Sequence, residues 1–198
     1  LFNKKDQEEP IVFVHGVGLT HEIWKPQLDY FNNYSTLAYD ILGHGKSSLD
    51  KEIISFDDFS DQLIDLINHL NIKKIHLVGF SIGSLIARNF AINHSSHLQS
   101  LTLLCSIYKR TEEQQKIVNQ RFEQAKKDLK LSRQALKRWF SDEYIEKHPN
   151  IYDKISSILA ANNMEHFLKV YELFVKHKND EDFNKIQNHT LVMTGEHD

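Results

Sequence analysis

Ser81 stands between two glycines, in Gly79-Phe80-Ser81-Ile82-Gly83. The run before it, Ile75–Gly79, is short and apolar, the pattern of a strand buried on both faces. After it, Ile82, Leu85, Ile86 and Phe90 recur at helical spacing. A G-x-S-x-G at a strand-to-helix turn is the setting of a nucleophile elbow. Such a turn holds the serine in a sparsely populated backbone region, at a cost of about 1–3 kcal/mol. The flanking glycines remove the Cβ atoms that would collide where strand and helix pinch together. The hydroxyl is then lifted above the sheet edge, and the helix N-terminus faces any oxyanion formed there.

Acyl transfer by a serine also needs a base, an acid that orients the base, and donors for the oxyanion. In a strand–elbow–helix architecture the order along the chain is Ser, then Asp or Glu, then His. Asp198, at the end of a later strand, stands where the acid belongs. The donors are expected to be the backbone N–H of Ile82 and that of Val17, in the loop after the first strand. Both are placed by position, since a backbone donor requires no particular side chain. A base histidine is absent from this chain, because none follows Asp198. His15 and His44 precede the nucleophile and are read as shaping loops, and His197 is expected to point away from the acid. His94 and His97 have i, i+3 spacing but no neighbouring carboxylate or cysteine, so they are read as helix-end residues and no metal site is expected.

The elements that must position these residues follow from the pattern. Ile11–Val14 and Leu37–Tyr39 read as strands, separated by a helix carrying Trp24, Leu28 and Phe31. Trp24 reads as core, yet it lies close enough to the glycine loop to be a candidate pocket wall. Gly43-His44-Gly45-Lys46-Ser47 lacks the first glycine of a P-loop, since position 40 is Asp, which excludes phosphate cradling by that motif. Ser55 opens an amphipathic helix with Phe56, Phe59, Leu63, Leu66, Ile67 and Leu70 on one face. Leu101–Leu104 is a further buried strand. Strands alternating with helices imply an α/β fold with a doubly wound, mainly parallel sheet.

That rhythm breaks after Cys105, which is read as a buried small hydrophobe. Thr111 and Gln114 form a capping box before a helix running to about Lys130. Helices are also expected over Ser132–Phe140, Ile151–Ala161 and the Met164–Val175 stripe, and no strand signal returns until Thr190–Thr194. So long a helical stretch between two strands is an inserted helical lid. The expected division is a core of 1–108 and 185–198 with the lid over 109–184. Trp139 and Phe140 are expected to roof an apolar pocket above Ser81.

Length and composition suit one soluble globular unit. A net charge of −3 leaves no electrostatic footprint for nucleic acid or an anionic membrane. No apolar stretch approaches the roughly 18 residues of a membrane span. The single cysteine suits a reducing compartment, hence a cytoplasmic location.

Four pieces in order, His15-Gly16, Asp40–Ser47, the Ser81 elbow and Gly195–Asp198, resemble the α/β-hydrolase superfamily. Within it the chain looks like the lidded esterase, 3-oxoadipate enol-lactonase and cofactor-free haloperoxidase group. Arg138-Trp139-Phe140-Ser141 is similar to a stretch of the enol-lactonases. Leu42 stands where many relatives carry Arg, and Ser84 where enol-lactonases usually have a second Gly. The resemblance implies a serine hydrolase of a small carboxylic ester or lactone, working through an acyl-enzyme with no cofactor. It also implies a C-terminally truncated chain, whose catalytic histidine lies beyond residue 198 and whose 198 residues alone are nearly inactive. Two alternatives stand beside it. One is C–C bond hydrolysis of a dienoic acid, with Arg88 and Arg110, both expected at the surface, as the nearest cations. The other is a non-catalytic ligand-binding homologue, against which the intact Ser81 and Asp198 count.

Overall fold

The computed structural model describes residues 1–5, 9–127, 136, 139–178 and 180–196. Its strands are β1 (Phe2–Asn3), β2 (Ile11–Val14), β3 (Thr36–Tyr39), β4 (Ile75–Phe80), β5 (Leu98–Leu104) and β6 (Thr190–Met193). They form one sheet in the order β1-β3-β2-β4-β5-β6, with β1 antiparallel to β3 and every other pair parallel. Side chains alternate across the sheet. Val12, Val14, Leu77, Leu101 and Leu103 turn to one face, where they meet α2 (Phe56–His69) and α3 (Ile82–Asn93). Phe13 and Ala38 turn to the other, against Trp24 and the short helix α1 (Lys25–Tyr30). The sheet is therefore doubly wound, as the alternating pattern implied.

Strand order reverses between β2 and β4. The chain builds β3 and β1 on one side of β2, and β5 and β6 on the other side of β4. At such a switch point the loops leaving the two central strands diverge and open a crevice at their carboxyl ends. The loop after β2 and the elbow after β4 leave the sheet at that point.

Local signals account for the helix starts. Ser55 and Asp58 close a capping box on α2, with the Ser55 N–H donating to Asp58 Oδ2 at 2.7 Å. Thr111 and Gln114 do the same for α4 (Glu112–Lys127), at 2.9 and 3.2 Å. The sequence carried α4 to about Lys130, but 128–130 lie outside the described residues, as does most of the helix expected over Ser132–Phe140. A short helix, α5 (Asp142–Lys147), was not foreseen. Next come α6 (Pro149–Ala160), begun by a proline in its first turn, and α7 (Met164–Lys176). Val170 of α7 joins the main core. Phe122 of α4 meets Tyr171 of α7 edge-on at 5.4 Å.

The cationic residues of this region are built into it. Arg110 donates to the carbonyls of Phe174 and Val175 at 3.1 Å, and Gln115 donates to Val175 at 3.0 Å. These are last-turn carbonyls of α7, which have no partner within the helix. Arg88, expected at the surface, is instead 3% exposed. Its guanidinium donates to Ile107 O at 3.0 Å and sits 3.9 Å over the Phe183 ring. Cys105 is half-buried rather than buried and takes φ +51°, in the left-handed region where β5 ends.

Candidate active site

Ser81 takes φ +56° and ψ −120° between β4 and α3. A non-glycine residue there is strained, and the surroundings hold it in place. Its N–H donates to Leu104 O at 3.0 Å. Its carbonyl accepts from the Ser84 N–H at 2.9 Å and from the Ser84 hydroxyl at 2.6 Å. Both glycines of the motif are required by close approach. A Cβ on Gly79 would lie 2.2 Å from Gly83 O, and one on Gly83 would lie 2.5 Å from Val14 O. Gly16 is close as well, though less confined: a Cβ there would come within 3.2 Å of the Phe80 ring and 3.3 Å of Ser81 Cβ. The loop after β2 is thus packed directly against the elbow.

That loop, His15 to Leu19, is ordered by two buried imidazoles. His15 Nδ1 lies 2.8 Å from Gly16 O, and its Nε2 accepts from the Ile41 N–H at 3.1 Å. His44 Nδ1 lies 3.2 Å from Leu42 O, and its Nε2 accepts from the Gly18 N–H at 2.8 Å. A carbonyl can only accept and an amide N–H can only donate, so both rings are neutral Nδ1–H tautomers. Burial pushes His15 down to about 3, helped by the neighbouring His44, and burial likewise pushes His44 down to about 4. Neither ring has a nitrogen left to take a proton from Ser81. Both therefore shape loops, as their place in the sequence suggested.

Asp40, at the end of β3, anchors the next loop. Burial alone would raise its carboxyl. Hydrogen bonds from the His21 N–H (2.8 Å), the His21 ring (2.7 Å) and the Lys46 N–H (3.1 Å) outweigh it and hold the group below the usual range. The His21–Asp40 pairing escaped sequence reasoning, which had no reason to join a helix start to a strand end.

The expected oxyanion donors lie where the elbow and the β2 loop meet. Among the described residues the Val17 N–H donates to no other group. Ile82 is the first residue of α3, where a helix leaves its N–H without an intrahelical partner. The expected wall residues divide three ways. Trp24, a candidate wall, is core at 4% exposure, tilted against Phe13 at 5.1 Å and edge-on to Phe80. Phe140 joins Leu19, Phe80, Leu136 and Leu159 in an apolar cluster that links the β2 loop, the elbow and the helices after β5. Trp139 is 45% exposed. Asp198 and His197 lie outside the described residues. An open cleft of about 1240 Å³ lies along α4, lined by Lys109, Arg110, Gln115 and His177, and Ser81 is not part of its wall. Among the described residues no three His, Cys, Asp or Glu side chains gather to hold a metal ion, and no helix is long and apolar enough to cross a membrane.

Comparison with known proteins bears on the fold. The profile of a family described as alpha/beta hydrolase fold matches residues 9–152. The chain is 31% identical over 198 residues to the (E)-2-((N-methylformamido)methylene)succinate hydrolase of Acinetobacter baylyi, covering 98% of this chain and 74% of that protein. It is 27% identical over 197 residues to 3-oxoadipate enol-lactonase 1 of the same organism, covering 99% and 74%. Among solved structures it superposes on the enol-lactonase of Burkholderia xenovorans LB400 with a TM-score of 0.89 at 21% identity, covering 99% of this chain and 76% of that one. The bromoperoxidase of Bacillus anthracis matches with a TM-score of 0.85 at 21% identity, covering 96% and 75%.

Proposed function

The chain belongs to the α/β-hydrolase fold family, and we propose that it is a serine hydrolase cleaving a small carboxylic ester or lactone through an acyl-enzyme. The observation that carries this reading is the strained Ser81 at the strand-order switch point, with the β2 loop packed against it and the Val17 N–H without a partner among the described residues. Ser81 Oγ attacks the acyl carbon while its proton passes to a histidine base. Charge gathers on the carbonyl oxygen, facing the N–H groups of Val17 and Ile82. Collapse expels the alkoxide, which takes the proton back from the imidazolium, and water then releases the acid by the same steps in reverse order. With a lactone the expelled alkoxide stays attached as the far end of the acyl chain.

We assign the base to a histidine outside residues 1–198, oriented by Asp198. His15 and His44, the two histidines beside the elbow, have both ring nitrogens engaged. On this reading residues 1–198 alone turn over esters only feebly. The insertion over 109–184 serves as the lid, with Phe140 and Phe80 on the apolar side of the acyl pocket and Trp139 nearer its mouth.

A second reading, hydrolysis of a small unsaturated diacid derivative, is favoured by the name of the relative at 31% identity. C–C hydrolysis of a dienoic acid gains nothing from Arg88 and Arg110, whose guanidinium groups are spent on backbone carbonyls. The test is Ser81→Ala in the protein expressed from its complete gene. Turnover of p-nitrophenyl esters should fall by about 10⁴–10⁶-fold with the fold intact. Near-normal turnover by a folded variant refutes the assignment.

A further inference from the structure

We infer that Asn162, in the turn between α6 and α7, is a positioning residue for the oxyanion loop, so that efficient acyl transfer depends on the insertion being seated. The inference rests on the serine-hydrolase reading and adds a part to its site.

Three successive peptide groups lead away from the elbow through the β2 loop, and each is held by one side chain. The Gly16–Val17 peptide, which carries the Val17 N–H, is held at its carbonyl by His15 Nδ1 at 2.8 Å. The Val17–Gly18 peptide is held at its N–H by His44 Nε2 at 2.8 Å. The Gly18–Leu19 peptide is held at its carbonyl by Asn162 Nδ2, also at 2.8 Å. The Leu19 N–H returns to Gly16 O at 3.2 Å, and Gly18 has φ +77°, so residues 16–19 form a turn with a left-handed third residue. Such a turn can convert by flipping its central peptide. Here the flip would take the Gly18 N–H from His44 and swing its neighbours, the Val17 N–H included.

Two of the three holds come from the core, and the third comes from the insertion. The Asn162 amide nitrogen is itself located by α6, lying 3.1 Å from both Ile158 O and Leu159 O at the helix end. Leu159 and Phe167 then pack on the same glycine: a Cβ on Gly18 would meet them at 2.9 and 3.1 Å. Apolar packing also joins the insertion to the core, through Val170, Phe140 and Phe183, but two other polar ties, Lys154 to Glu22 at 3.4 Å and Lys169 to Lys51 O at 3.5 Å, are longer and exposed. Asn162 is a short, part-buried polar tie, and it ends on the loop that must hold an oxyanion donor still.

The experiment compares Asn162→Ala and Asn162→Asp with the parent, all from the complete gene. It measures kcat and KM for a p-nitrophenyl ester and inhibition by an alkylboronic acid, whose serine adduct mimics the tetrahedral intermediate. Removing an oxyanion donor outright costs about 10²–10³-fold, so loosening one should lower kcat by about 10–100-fold and weaken the boronic acid by a similar factor, with KM within about 2-fold. Aspartate has the size of asparagine but no donor for Gly18 O, so it should fall at least as far as alanine. Parental kcat in Asn162→Asp overturns the inference, because size alone would then suffice. So does an unchanged boronic acid affinity in either variant. Should Asn162→Ala fail to fold, Asn162→Asp carries the comparison. An inactive Ser81→Ala protein beside fully active Asn162 variants overturns this inference only, whereas an active Ser81→Ala protein overturns the serine reading and this inference with it.

Discussion

Acid should unfold this protein through its two buried imidazoles, well before carboxylates matter. His15 and His44 are neutral in the fold, down at about 3 and about 4, against 6.5 when free. Protonating His15 would place a second N–H against the Ile41 N–H, donor against donor, and His44 would face Gly18 in the same way. Between the free and folded values the unfolded chain therefore binds more protons, and stability falls as pH falls. From about pH 7.5 to about pH 5, each histidine removes roughly 2 kcal/mol and the pair about 4 kcal/mol. That is a large part of the 5–15 kcal/mol typical of a domain. Near pH 5.5 the two should give a slope of roughly 2 kcal/mol per pH unit, from nearly two extra protons on the unfolded chain. Asp40, held low, loses its contribution only as pH falls through its own depressed value, below this window. Urea unfolding followed by tryptophan fluorescence at several pH values measures the slope. His44→Gln, which keeps a neutral polar side chain, should lower it by about half. A stability flat across this window, or a slope untouched by His44→Gln, refutes the reasoning.

Two further outcomes concern packing. Gly83→Ala would press a methyl group to 2.5 and 2.6 Å from the carbonyls of Val14 and His15, rigid backbone that cannot give. It should lower stability by at least about 1–3 kcal/mol in urea titrations, and parental stability would show that α3 can move away from β2 at no cost. Phe140→Ala removes a ring from the cluster beside Phe80 and should change the ratio of kcat/KM between short and long acyl esters by about 1–3 kcal/mol. Trp139→Ala, already half in solvent, should change that ratio less. An equal effect of Phe140→Ala on every ester would deny it a place at the pocket.

The readable parts of the sequence were those whose cause is local. A glycine two residues either side of Ser81 reports a backbone approach that no other residue allows, and β2 and β4 are apolar because both their faces are covered. Partnerships across the fold leave no such trace. Trp24 has the same spacing whether it faces the sheet or a pocket, and only the turn at His21–Trp24 decides that it packs on Phe13. Arg88 looked like a surface charge on α3, because nothing nearby announces Ile107 or Phe183. Asn162 reads as half of an ordinary Asn-Asn turn between two apolar stripes, yet its partner Gly18 is 144 positions away. Helix α5 carries its signal in Ser141, which accepts from the Tyr144 N–H at 3.2 Å, but six residues are too few for a helical period to emerge.

Ser84 brings the local and the distant together. Glycine at position 84 would leave Ser81 O with one bond instead of two. The strain of a serine at φ +56° is about 1–3 kcal/mol, and each buried hydrogen bond contributes about 0.5–1.5 kcal/mol. The Ser81 N–H bond to Leu104 and the two bonds from Ser84 are together of the size needed to offset that strain. One of them ties the elbow to β5, and the other two tie it to the first turn of α3. Ser81 is thus strained but fixed on both sides, and Ser84 supplies locally a hold that a glycine at this position would have to find elsewhere.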